Sequence, residues 1–212
     1  SFNTDDPRVA VFSTLQPICS VILQSRSNPP ELTSLLLGLN TLLQEVDVQG
    51  LQACVEYVLF PLRLILDCAS GGGEQQEQGG VAIPAATSER VVEATLKCLF
   101  TVLSRCNIER KEQILSVIAR LTALLPDNNN STSSSNKAGV GDGSPASEEV
   151  VQSILTNLIC LFTNMPPPGK AILTKDEEAA PLIGHLISKL LSTAEGQFKA
   201  GSLGSRVIRA KS

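Results

Sequence analysis

Apolar residues recur every three or four positions through most of this chain of 212 residues, and prolines or short polar breaks cut the pattern into lengths. That is the period of an α-helix with one buried face; a half-buried strand would alternate every second residue. Asp6 followed by Pro7 pairs a cap with a first-turn proline, opening a helix that carries Val9, Phe12, Leu15, Cys19 and Ile22. Pro17 is expected to kink or divide it, because it removes a donor and crowds the carbonyl one turn back. Asn28-Pro29-Pro30-Glu31 restarts the chain, and Leu32, Leu35, Leu36, Leu39, Leu42, Leu43 and Val46 form the second stripe.

A third helix is expected from Asp47, with Leu51, Val55, Val58, Leu62, Ile65 and Leu66 on one face and Pro61 interrupting it late. The fourth runs from about Thr87 to Cys106, and Asn107 separates it from a fifth that carries Ile114, Val117, Ile118 and Leu121 and stops before Pro126. The sixth is expected to start at Ser144-Pro145 with Glu148 and Glu149 in its first turn, where carboxylates suit the helix dipole. Leu182 to Leu191 mark a seventh, and Leu203, Val207 and Ile208 an eighth.

Two stretches break the rhythm. Residues 69–86 are rich in Gly, Gln and Glu, and residues 126–143 in Asn, Ser and Gly. Such compositions bury too little apolar area to offset ordering entropy, so both are expected to be disordered insertions. The turns after helices two and four are tight, whereas the insertions follow helices three and five. Pairing two with three, four with five and six with seven sends both insertions from one edge, as in a repeat array. Pair lengths near 40–47 residues match HEAT or armadillo units. With aromatics at 3% and no tryptophan, the aliphatic balance suits helix-on-helix packing and argues against a β-sandwich. The expected fold is therefore all-α, a HEAT/armadillo-like α-solenoid of about eight helices. A compact bundle enclosing an apolar ligand is the alternative in a different functional class.

Catalytic chemistry finds few residues to use. His185 is the one histidine, which rules out a multi-histidine metal site, and between Leu182, Ile183, Leu186 and Ile187 it is expected to be a helix-surface or hydrogen-bonded residue and not a catalyst. Gly201-Ser202-Leu203-Gly204-Ser205 lacks the pattern of a nucleophile elbow, and Pro166-Pro167-Pro168-Gly169-Lys170 lacks the leading glycine and following hydroxyl of a phosphate loop. The Asp176-Glu177-Glu178 run fits a helix start, with a cation site as the minority reading. No enzyme, cofactor or metal is expected.

The formal charge of −4 and pI near 5.1 argue against nucleic acid, since the cations Lys199, Arg206, Arg209 and Lys211 read as a solvated helix face. No apolar run approaches the roughly 20 residues that span a bilayer. Residues 1–8 hold Asp5 and Asp6 and no basic region, so no signal peptide is expected and a cytoplasmic or nuclear protein is. The six cysteines Cys19, Cys54, Cys68, Cys98, Cys106 and Cys160 form no CxxC pair. Cys98 and Cys106 would lie about 12 Å apart on one helix, too far to bridge. Reduced thiols are expected, within apolar stripes except at Cys68 and Cys106.

The most distinctive local cluster is Tyr57, Phe60, Pro61 and Arg63, a proline-kinked packing helix or, as the lesser reading, a partner surface. Leu51-Gln52 followed by Tyr57-Val58-Leu59-Phe60-Pro61-Leu62-Arg63 resembles the N-terminal region of the Tel-two-interacting protein one family. So do Val11-Phe12 with Leu15-Gln16-Pro17-Ile18-Cys19, and Val92-Glu93 with Cys98-Leu99 and Val102-Leu103-Ser104. The resemblance implies that residues 1–212 are the N-terminal HEAT-repeat segment of a longer solenoid. It further implies a non-catalytic adaptor that joins Tel-two and a second interacting protein, linking the heat-shock-protein-ninety and R-two-TP machinery to phosphatidylinositol-three-kinase-related kinases during their maturation, with consequences for the DNA-damage response. Another solenoid adaptor, such as a nuclear transport receptor, would share the same helical pattern.

Overall fold

The computed structural model describes residues 6–25, 27–70, 88–126 and 147–209, with 196–209 as backbone alone. Every regular element within them is a helix. Helix α1 (Pro7–Gln24) is capped by Asp6, whose carboxylate accepts from the Arg8 N–H at 2.9 Å. Of the two outcomes expected at Pro17, a kink or a division, division does not occur, since α1 is continuous through it. Pro17 and Ser13 one turn back are both exposed, so water can serve the carbonyl that the proline leaves without a helical donor.

Helix α2 (Pro29–Glu45) follows the expected stripe. The expected third helix is instead two, α3 (Val48–Ala53) and α4 (Val55–Ala69), parted at Cys54 with φ −104° and ψ 6°. Asp47 caps α3 by accepting from Gly50 N–H at 2.8 Å. Gly50 is where α3 meets α1: a Cβ there would stand 2.5 Å from Val11 Cγ2 and 2.8 Å from the Pro7 carbonyl oxygen. Pro61 lies inside α4 and is buried, so it does not interrupt the helix.

Helices α5 (Glu89–Arg105) and α6 (Lys111–Leu124) match the fourth and fifth expected helices. The sixth, α7 (Glu148–Asn164), begins after Ser147, later than Ser144, with Glu148 and Glu149 in its first turn. Helix α8 (Pro167–Lys175) was not expected from the sequence: Gly169 presses against Met165 and Ile114 in a helix, not in a phosphate loop. Helix α9 (Ala179–Arg209) runs through the expected seventh and eighth helices as one. The glycines between them weaken a helix but do not stop it. Of the expected insertions, 71–86 and 127–143 lie outside the described residues, as do the side chains of Leu203, Val207 and Ile208.

The helices stack in two layers. Helix α5 packs between α2 and α7 in the first; α6 packs against α4 on one side and α8 and α9 on the other in the second; α1 covers the first end against α2, α3 and α4. One continuous apolar core runs between the layers, from Leu15 and Leu36 through Leu62, Leu96 and Leu121 to Ile154 and Leu186. Each unit touches its neighbours in the stack, which is the construction of an α-solenoid.

A repeated hydrogen-bond pattern joins the first-layer helices. Cys98 Sγ donates to the Leu36 carbonyl at 3.0 Å, and Arg105 to the Leu43 carbonyl. Asn157 and Asn164 of α7 donate to the Leu96 and Leu103 carbonyls of α5, each at 3.1 Å. Partners in all four are separated by 61 or 62 residues. Donors on each helix stand two turns apart and so point the same way. The internal repeat is thus visible in polar bonds that sequence comparison of the apolar stripes does not single out.

Candidate partner surface

The cluster on α4 divides between packing and solvent. Tyr57 sets its ring edge-to-face against Phe12 of α1, centroids 5.0 Å apart at 61°, and its hydroxyl donates to the Gln16 carbonyl at 3.4 Å. Such a pair adds about 0.5–1.5 kcal/mol beyond area burial. Pro61 is buried one turn on, while Phe60 is 52% exposed. Arg63 is half-buried: its carbonyl accepts from Arg120 Nε at 3.3 Å, and its own buried Nε has no hydrogen-bond partner among the described residues. Burial, then the neighbouring Arg120, push the Arg63 pKa down, against smaller opposing pulls from Asp67 and Glu56.

Around this cluster runs the polar seam of the second layer. Arg120 Nη2 bonds Asp67 at 2.6 Å, Gln113 donates to Glu56 at 2.7 Å, and Arg110 pairs with Glu56. Further along, Lys111 bridges Asp176 at 2.6 Å and Glu178 at 2.7 Å. Asp176 also accepts from the Glu178 N–H, so the acidic run does start a helix and is tied to α6. His185 is exposed on α9. No group of His, Cys, Asp and Glu able to hold a metal occurs among the described residues, and no helix among them is long and apolar enough to cross a membrane.

None of the six cysteines forms a disulfide. Cys19, Cys54, Cys98 and Cys106 are buried, and Cys68 and Cys160 half-buried. Cys106 departs from the expectation in being buried at the end of α5, and Cys160 in lying only partly covered. Burial pushes the Cys98 thiol up to about 12 and those of Cys19 and Cys106 up to about 11.

A second surface was not singled out from sequence. Helices α2, α5 and α7 line a groove of about 270 Å³, floored by Thr101 and Asn157 and walled by Asn40, Gln44, Phe100 and Gln152. Polar residues within apolar helices, at the same separation as the ladder, were its available signal: Thr101 and Asn40 are 61 residues apart and joined by a 2.7 Å hydrogen bond.

The two-layer stack agrees with what the comparisons with known proteins return. The model of the TTI1 N-terminal TPR domain matches residues 12–203. The chain belongs to that family. TTI1 N-terminal domains are thus the setting for the α4 cluster and the groove, both within the matched span. The TPR of the family's title, like HEAT and armadillo, denotes paired helices stacked into a solenoid. Among relatives, TELO2-interacting protein 1 homolog of Homo sapiens is 29% identical over 192 residues, and that of Mus musculus 28%. Each alignment covers 90% of this chain and 15% of the relative, so the chain spans about one-seventh of their length. No solved structure matches the chain.

Proposed function

We propose that the chain is the N-terminal segment of a longer, non-catalytic scaffold solenoid. Within the cytoplasm and nucleus, that scaffold holds a Tel-two protein and a second interacting protein together. It thereby links the heat-shock-protein-ninety and R-two-TP machinery to newly made phosphatidylinositol-three-kinase-related kinases. The observation that carries this reading is the TTI1 match over residues 12–203, together with relatives named for their interaction with TELO2. The fold is compatible with it: stacked helix pairs present long faces to other proteins. Phe60, half in solvent beside the under-bonded Arg63, is the partner contact we assign on α4, with Tyr57 and Pro61 holding it in place.

Affinity purification of the full-length protein from its own cells tests the proposal. Recovery of the Tel-two protein with kinases of this family is the expected result, as is a fall in those kinases when the protein is depleted. Recovery of nuclear transport cargo or another partner set, without Tel-two, would refute it.

A further inference from the structure

We propose that the groove across α2, α5 and α7 binds an extended polypeptide segment, recognised through its peptide groups. The argument does not rest on which complex the protein joins. Three features of the lining select this ligand.

Primary amides and hydroxyls dominate it: Asn40, Gln44, Thr101, Gln152 and Asn157. A side-chain amide offers a donor and an acceptor side by side, the complement of a peptide unit's carbonyl and N–H. Thr101 donates to Asn40 Oδ1 at 2.7 Å, which commits the Asn40 Nδ2 group to other acceptors. Asn157 spends its Nδ2 hydrogens on the Leu96 carbonyl at 3.1 Å and the Ser153 carbonyl at 2.8 Å. Its buried Oδ1 has no donor among the described residues, although Asn157 is only 1% exposed. A peptide N–H seated on the groove floor supplies the missing group once the side chains that cover this oxygen shift aside.

Spacing is the second feature. Packed helices lie about 8–10 Å apart, and extended or polyproline-type chain rises about 3.1–3.4 Å per residue. Every third residue of such a segment therefore meets the next helix of the layer. A helical ligand, about 10 Å wide with its own backbone groups bonded internally, would leave the amides unused.

Charge and apolarity are the third. Lys97 is the one charged residue in the lining, so a polyanion finds too little to neutralise, while a single acidic side chain finds a partner. Phe100, 40% exposed on the central helix, gives an apolar side chain of the segment a place to sit.

Selection of a displayed library of random twelve-residue peptides against the full chain provides the probe. The tightest selected peptide is then synthesised and titrated by fluorescence anisotropy. Binding is expected to weaken about tenfold or more with Gln44→Ala/Gln152→Ala and with Phe100→Ala, and with the peptide N-methylated along its backbone, since about 1.4 kcal/mol corresponds to each tenfold step. Ile187→Ala, at an exposed side chain of α9 in the other layer, should leave it unchanged. Gln44, Gln152 and Phe100 are exposed, so melting temperatures within a few degrees of wild type confirm that the variants fold. Failure to select any binder overturns the inference. So does binding that survives both groove variants, binding lost instead with Ile187→Ala, or binding indifferent to N-methylation. None of these outcomes depends on whether Tel-two co-purifies with the full-length protein, so the two proposals fail separately.

Discussion

Replacing Gly50 by alanine tests the junction of α1 and α3 directly. In an open helix the change gains about 0.8–1 kcal/mol, because alanine loses less backbone entropy and covers the backbone. At Gly50 the new Cβ would meet Val11 Cγ2 at 2.5 Å and the Pro7 carbonyl oxygen at 2.8 Å. The valine methyl can turn away, but the carbonyl belongs to the first turn of a neighbouring helix and moves only with that helix. Overpacking of this kind costs about 1–3 kcal/mol, so the net effect is a loss of up to about 2 kcal/mol. Two other helical glycines supply the control. Gly38 would place its Cβ in ordinary contact, 3.5 Å from Ile18 Cδ1, and Gly184 has nothing within 4 Å. Alanine at either should stabilise by about 0.5–1 kcal/mol. For a chain of this size 1 kcal/mol moves the melting temperature by about 2–4 °C, so thermal and urea melts can separate the three. A Gly50→Ala chain as stable as Gly38→Ala would show that α3 does not lie against α1 as described.

Leu62→Asp and Leu121→Asp, each at a side chain with no exposed surface, should unfold the chain by burying an unpaired charge; cooperative urea melts near the wild-type midpoint would refute the layer assignment. The Lys111 bridge predicts a pH signature. Its hydrogen bond holds the Asp176 pKa below the usual carboxylate value, so the bridge stabilises above about pH 4 and is lost as pH falls through the depressed folded value. The same bridge raises the Lys111 pKa, so at the alkaline end the contribution persists below about pH 10.4 and fades only as pH passes the higher folded value. Lys111→Met should melt lower than wild type at pH 7 and converge with it near pH 2–3; a gap constant through the acid range would refute the bridge. Native thiol titration at pH 8 should label Cys160 and Cys68 before Cys98 and Cys19, which react only on unfolding; uniform labelling of all six would contradict the burial described.

Helix existence and face were legible because both depend on local spacing. The stripes from Leu32 to Leu43 and from Val92 to Leu103 face the core as read, since a period near 3.6 places those side chains together whatever lies beyond them. Helix ends were less legible. The break at Cys54, the passage of α1 through Pro17 and the fusion of two expected helices into α9 all turn on how a neighbour or solvent meets the backbone. The motif from Tyr57 to Arg63 pointed to the family but not to its own division into packed and exposed members. That division follows from Phe12 and Gln16, more than forty residues earlier in the chain.

The amino-acid order by itself determined that this chain forms helices with one apolar face, lacks the residues of the catalytic motifs considered, and carries the marks of its family. Periodicity, composition and short motifs each act within a few turns, so they survive without a fold. Only the tertiary structure decided that α5 lies between α2 and α7, that Asn157 and Asn164 repeat the bonds of Cys98 and Arg105, and that amides from three helices line one groove. Those contacts join residues about sixty positions apart across segments of unrelated composition. Their partners are often backbone carbonyls, which every residue possesses and no sequence pattern distinguishes.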